Sequence, residues 1–80
     1  MDEFAMNVIS LAEAPLATPL TLAAVPAAHA WRLSRLGLRP GVAFSVVRSS
    51  AGGGRIVAVA GSRVALGAAL LGGVRAEVDQ

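Results

Sequence analysis

The chain contains no cysteine, no lysine and no tyrosine, and only one tryptophan and one histidine. Each absence removes a class of chemistry. Without thiols there is no disulfide framework, no thiolate metal site and no cysteine nucleophile. Without lysine there is no Schiff base and no phosphate loop of the Gly-x-x-x-x-Gly-Lys-Ser/Thr form, so the Gly52-Gly53-Gly54 run after Ser49 and Ser50 reads as a hairpin loop. Such a loop is also a place where small barrels contact ligands. His29 has no Asp or Glu three or four residues away. A metal site needs three or four convergent ligands, so His29 reads as a rim-of-core side chain and no metal or cofactor is expected. Nucleophile, base and carboxylate pairs cannot be assembled from this inventory, and the chain is not expected to be an enzyme.

Charge is also scarce. Only 15% of residues are charged, against 55% apolar, so a packed core is affordable despite a length of 80 residues. Seven arginines against five acids give a net charge of +2. The arginines are spread singly from Arg32 to Arg75, whereas nucleic-acid binding usually shows a clustered stripe. The stretch from Ala14 to Trp31 carries no Asp, Glu, Lys or Arg, but Pro15, Pro19 and Pro26 interrupt it and argue against a spanning helix. Ala28-His29-Ala30 has the small-x-small form of a signal cleavage site, yet Asp2 and Glu3 stand where a basic leader is expected.

What is present is strand patterning punctuated by turn residues. Ser10-Leu11-Ala12-Glu13 has the form of a capping box, stopped at once by Pro15, and residues 1–7 read as a flexible arm before a single domain over 8–80. Leu20 to Val25 reads as a first strand that ends at Pro26. From Ala27 to Gly37 the period becomes helical, with His29, Leu33 and Leu36 on the inward face and Gly37 as the left-handed stop. Arg39-Pro40-Gly41 supplies a turn into Val42–Arg48, where Val42, Phe44 and Val46 share a face. Arg55–Ala60 and Arg63–Leu66 return through a two-residue turn placed at Gly61-Ser62, of type II′. A helical turn at Gly67–Leu71 and a last strand at Val74–Val78 complete the pattern, with the last strand pairing to the first to avoid an open edge. Five short strands with a central meander predict an all-β fold, a small SH3-like barrel whose interior is filled by side chains.

Three segments carry a further signal: Leu11-Ala12-Glu13-Ala14-Pro15, Leu33-Ser34-Arg35-Leu36-Gly37-Leu38-Arg39-Pro40-Gly41 and Gly61-Ser62-Arg63-Val64-Ala65-Leu66-Gly67. In this order and spacing the chain resembles FeoA-type ferrous iron transport accessory proteins over nearly its whole length. The resemblance implies an SH3-like domain in the bacterial cytoplasm that associates with FeoB, a membrane Fe(II) transporter with an N-terminal GTP-binding domain. It also implies kinship of fold with the C-terminal module of iron-dependent repressors, and transition-metal binding as a family-level term. Ala17, where the family pattern has Gly before Thr-Pro-Leu, His29 in place of an aliphatic residue, Leu71, Ala76 and the bulky Trp31 depart from that pattern.

Trp31 falls across the helix from Leu33 and Leu36, one turn from Arg35. Two readings are open. Trp31 can lie on its own helix under the Arg35 guanidinium. Alternatively Trp31, Arg35, Leu38, Arg39 and Pro40 form a partner-binding patch, since Trp and Arg dominate interface hot spots. The expected partner is the cytosolic part of a FeoB-type transporter. A nucleic-acid-binding or transcription-regulator-associated barrel and a homo-oligomer are the alternatives, the first weakened by the lack of stacking aromatics.

Overall fold

A computed structural model describes residues 8–79; the expected arm over 1–7 lies outside them. Six strands form one antiparallel sheet: β1 (Val8–Ser10), β2 (Leu20–Ala24), β3 (Ala43–Ser49), β4 (Arg55–Val59), β5 (Ser62–Leu66) and β6 (Arg75–Val78). Their order is β1-β6-β2-β3-β4-β5. The meander β3-β4-β5 and the return of β6 onto β2, with Leu20 opposite Val78, follow the sequence reading. β1 is additional. It has three residues, too few to show a period of two, and it exists because the outer edge of β6 accepts it at Val8–Glu77 and Ser10–Arg75.

The sheet bends around a dry core. Alternate residues of the strands, Leu20 and Leu22, Phe44 and Val46, Val57 and Val59, point inward with Leu11, Leu33, Leu71 and Val74. Among the described residues no polar or charged side chain is buried. β-bulges between Val46 and Arg48 and between Leu22 and Ala24 supply the bend. The opposite sides are tied by Arg55, at the start of β4, whose guanidinium donates to the carbonyls of Leu11 (3.3 Å) and Ala14. A parallel bridge between Leu16 and Val46 adds to this closure. Ser10 caps the Leu11–Glu13 turn by accepting from the Ala12 amide at 3.2 Å, rather than from Glu13 as a capping box requires.

The β4–β5 hairpin corrects one turn assignment. Val59 pairs with Ser62, so the loop residues are Ala60 and Gly61, not Gly61 and Ser62. Both have positive φ, 51° and 80°, which defines a type I′ turn rather than II′. A left-handed alanine costs about 1 kcal/mol, and Asn is the residue that a type I′ turn accepts best before Gly. Ala60→Asn is therefore expected to stabilise the chain by about 0.5–1 kcal/mol and raise the thermal midpoint by about 2–8 °C. A fall in the midpoint would refute the turn geometry. Ala17 is the other non-glycine with positive φ (54°) among the described residues, a conformation that glycine adopts without steric cost.

Between β2 and β3 lies a 3-10 turn (Ala27–His29) running into α1 (Ala30–Arg35); between β5 and β6 lies α2 (Ala68–Leu71). No helix is long and apolar enough to cross a membrane among the described residues.

Candidate functional site

Six residues cannot hold a helix by backbone hydrogen bonds alone, because isolated helices shorter than about 12 residues are marginal in water. α1 is held by one peg and one cap. Leu33, the only buried residue of the helix, enters the core at 1% exposure. The cap is a Schellman motif: the Leu38 amide reaches the Leu33 carbonyl at 2.9 Å and the Gly37 amide the Ser34 carbonyl at 3.0 Å. Gly37 takes the left-handed conformation this requires, with φ 96°. The motif reverses the chain and drops Leu38 beside Leu33 in the core. Next, the Val42 amide bonds to the Arg39 carbonyl at 3.1 Å, with Pro40 and Gly41 (φ 96°) at the centre as a type II turn demands.

This arrangement sorts the five residues of the expected patch. Trp31 is 73% exposed, and the Arg35 guanidinium lies 4.9 Å from the centre of its ring. Arg39 and Pro40 are exposed at the following turn. Leu38, at 3% exposure, is not on the surface: the Schellman reversal spends it on the core. Leu36, expected to face inward, is instead 43% exposed. Helical projection misassigns Leu36 because it is the cap residue, where φ −90° and ψ 0° leave the helix. Trp31 lies under the Arg35 guanidinium and still presents most of its surface.

The electrostatics of the face are one-sided. No acidic residue occurs between Glu13 and Glu77, so α1 and its turn contribute Arg32, Arg35 and Arg39 with no carboxylate in the same stretch. Such a surface attracts an acidic partner and repels a second basic one. The glycine-rich loop, by contrast, is a closed turn: the Ser50 amide bonds to the Gly54 carbonyl at 2.8 Å, and Gly54 is buried. Among the described residues no three of His, Asp and Glu converge as metal ligands.

The sequence profile of the FeoA domain matches residues 9–78. Among solved structures, the chain is similar to an iron uptake regulatory protein, FeoA, at 28% identity and a TM-score of 0.77, covering 88% of this chain and 94% of that one. It is similar to FeoA of Stenotrophomonas maltophilia at 31% identity, with 89% of each chain covered and a TM-score of 0.67. That protein was solved with zinc and is described as a procaryotic SH3 domain protein and a candidate activating factor for ferrous iron transport. FeoA of Chlorobium tepidum shares the fold, with a TM-score of 0.80 at 21% identity over 90% of this chain and 71% of that one. No curated protein matches the chain.

Proposed function

The chain belongs to the FeoA family, and from that membership we propose that it serves ferrous iron uptake in the cytoplasm by docking on the cytosolic part of a FeoB-type membrane transporter. The carrying observation is Trp31, 73% exposed on a helix that Leu33 and the Schellman cap hold in place. A large aromatic stacked with Arg35, with Arg39 and Pro40 exposed on the turn that follows the helix, has the composition of an interface hot spot, offered at little conformational-entropy cost. Ferrous iron is the transporter's cargo in this reading, and the chain itself acts through its surface. By binding one conformational or nucleotide state of the transporter more tightly than another, it shifts that equilibrium by the difference in the two binding free energies.

The test is affinity for the isolated cytosolic region of the transporter. Hot-spot truncations cost about 2 kcal/mol or more, so Trp31→Ala combined with Arg35→Ala is expected to weaken association by at least about 30-fold and to depress iron uptake. Folding should change little, since a surface cation-π contact contributes only about 0.5–1 kcal/mol. Unchanged association and uptake in the double variant would remove this surface from consideration. Weakening that tracks salt alone, with equal binding to short DNA, would favour a nucleic-acid reading instead.

A further inference from the structure

The face of α1 that carries Trp31 is not the only surface the helix builds. On another flank it borders a shallow, open groove of about 480 Å³, with Pro26, His29 and Arg32 on one wall and Gly67, Leu70 and Gly73 on the other. The walls are fixed in relation to each other at one end. A β-carbon on Gly73 would come within 2.7 Å of Pro26 Cγ, so backbone and proline ring are already in close contact there. At Gly67 the opposite holds, and a β-carbon would meet nothing within 4 Å.

The lining brings two side-chain hydrogen-bond donors, the Arg32 guanidinium and the His29 ring, to a surface otherwise apolar or backbone, and it includes no carboxylate. A guanidinium fork matches a carboxylate in shape and charge, and an imidazole keeps at least one N–H in either protonation state. Leu70 and Pro26 leave apolar surface that a bare anion would not cover. The volume falls within the range of ligand clefts, about 300–1,000 Å³, but the open side suits a chain that enters and leaves rather than an enclosed small molecule. We propose that this groove receives an extended, apolar segment of a partner protein that bears an acidic side chain, with the carboxylate on Arg32 and His29 and a neighbouring apolar side chain over Leu70 and Pro26. In an extended segment successive side chains alternate between faces, so an acid and an apolar residue two apart both meet the groove. The inference goes beyond the docking face around Trp31 and stands independently of it.

The purified chain can be titrated, with amide shifts as the readout, against a short peptide of alternating leucine and glutamate and its leucine and lysine counterpart. The acidic peptide is expected to move Gly67, Leu70 and Gly73, and the basic one to leave them in place. Arg32→Gln should weaken the acidic peptide by about tenfold or more, the loss of a charge-assisted bidentate contact. Gly67→Leu should abolish binding with the thermal midpoint unchanged, because Gly67 has φ −72° and ψ 157°, open to any residue, and faces empty space. Trp31→Ala should leave peptide affinity as it is, which separates the groove from the transporter-docking face. Equal binding of the two peptides, full competition by inorganic phosphate, or indifference to Arg32→Gln would overturn the proposal. So would shifts at the groove that grow with protein concentration in the absence of peptide, which would assign it to a second copy of the chain.

Discussion

Replacing Leu33 with alanine is expected to lower the free energy of unfolding by about 3 kcal/mol, within the range for emptying a buried leucine site, and to release α1 before the sheet unfolds. The cost has two origins. Leu33 is almost fully buried among apolar neighbours, so its removal leaves a cavity that the strands can only partly close. It is also the helix's only buried side chain, so nothing else on α1 pegs it to the core. Loss of that peg leaves a six-residue segment that is not stable as a helix by itself. Urea unfolding measures the first effect. Hydrogen exchange measures the second, as lost protection at the Leu36, Gly37 and Leu38 amides, which now bond to the Leu33 and Ser34 carbonyls. Leu36→Ala is the control: at 43% exposure it should cost well under 1 kcal/mol. Equal losses at the two positions would contradict the Schellman reversal. Because Trp31 and Arg35 are positioned by the same peg, the docking proposed above requires that Leu33→Ala also weaken transporter association, although Leu33 itself is buried.

Gly54→Ala is expected to cost about 2–3 kcal/mol, at the upper end of the range for overpacking, which for a domain of this size lowers the thermal midpoint by about 10 °C or more. The dihedral angles are not the cause, since φ −77° and ψ 179° suit any residue. Space is the cause. An added β-carbon would lie 2.6 Å from the Leu66 carbonyl oxygen and 2.8 Å from Ser50 Oγ. The serine can rotate away. The carbonyl cannot, because Leu66 is paired with Arg55 across the β4–β5 ladder. Either the turn opens, losing the bond from the Ser50 amide to the Gly54 carbonyl, or the end of β5 shifts. Arg55 would shift too, and with it the contacts to the Leu11 and Ala14 carbonyls that tie the two sides of the barrel. Gly72→Ala provides the comparison. It has φ −64° and open space around it, so it should fall within about 0.5 kcal/mol of the parent. A Gly54→Ala variant as stable as Gly72→Ala would show that the turn does not approach β5 this closely.

The sequence alone determined those features whose cause lies within a few neighbouring residues. Alternation in Leu20–Leu22, Phe44–Val46 and Val57–Val59 is enough to orient three strands. Gly37 marks the end of a helix, and Pro40-Gly41 imposes a turn, because the allowed dihedral angles of these residues leave few alternatives. The exposed Trp31 over Arg35 was legible for the same reason, being a matter of spacing on one helix. Tertiary structure decided everything that depends on where the chain returns. β1 is a strand only because β6 offers an edge. Leu36 and Leu38 exchange their expected places because a backbone reversal, not the helical period, sets which of them meets the core. Arg55 reads in sequence as one dispersed charge among seven, and only the fold brings the Leu11 and Ala14 carbonyls to it. Gly54 and Gly72 look alike in the sequence and differ solely in what packs against them. The groove joins residues some forty positions apart, Arg32 and Gly73 among them, and no local pattern can announce a surface whose two walls meet only after the sheet has bent.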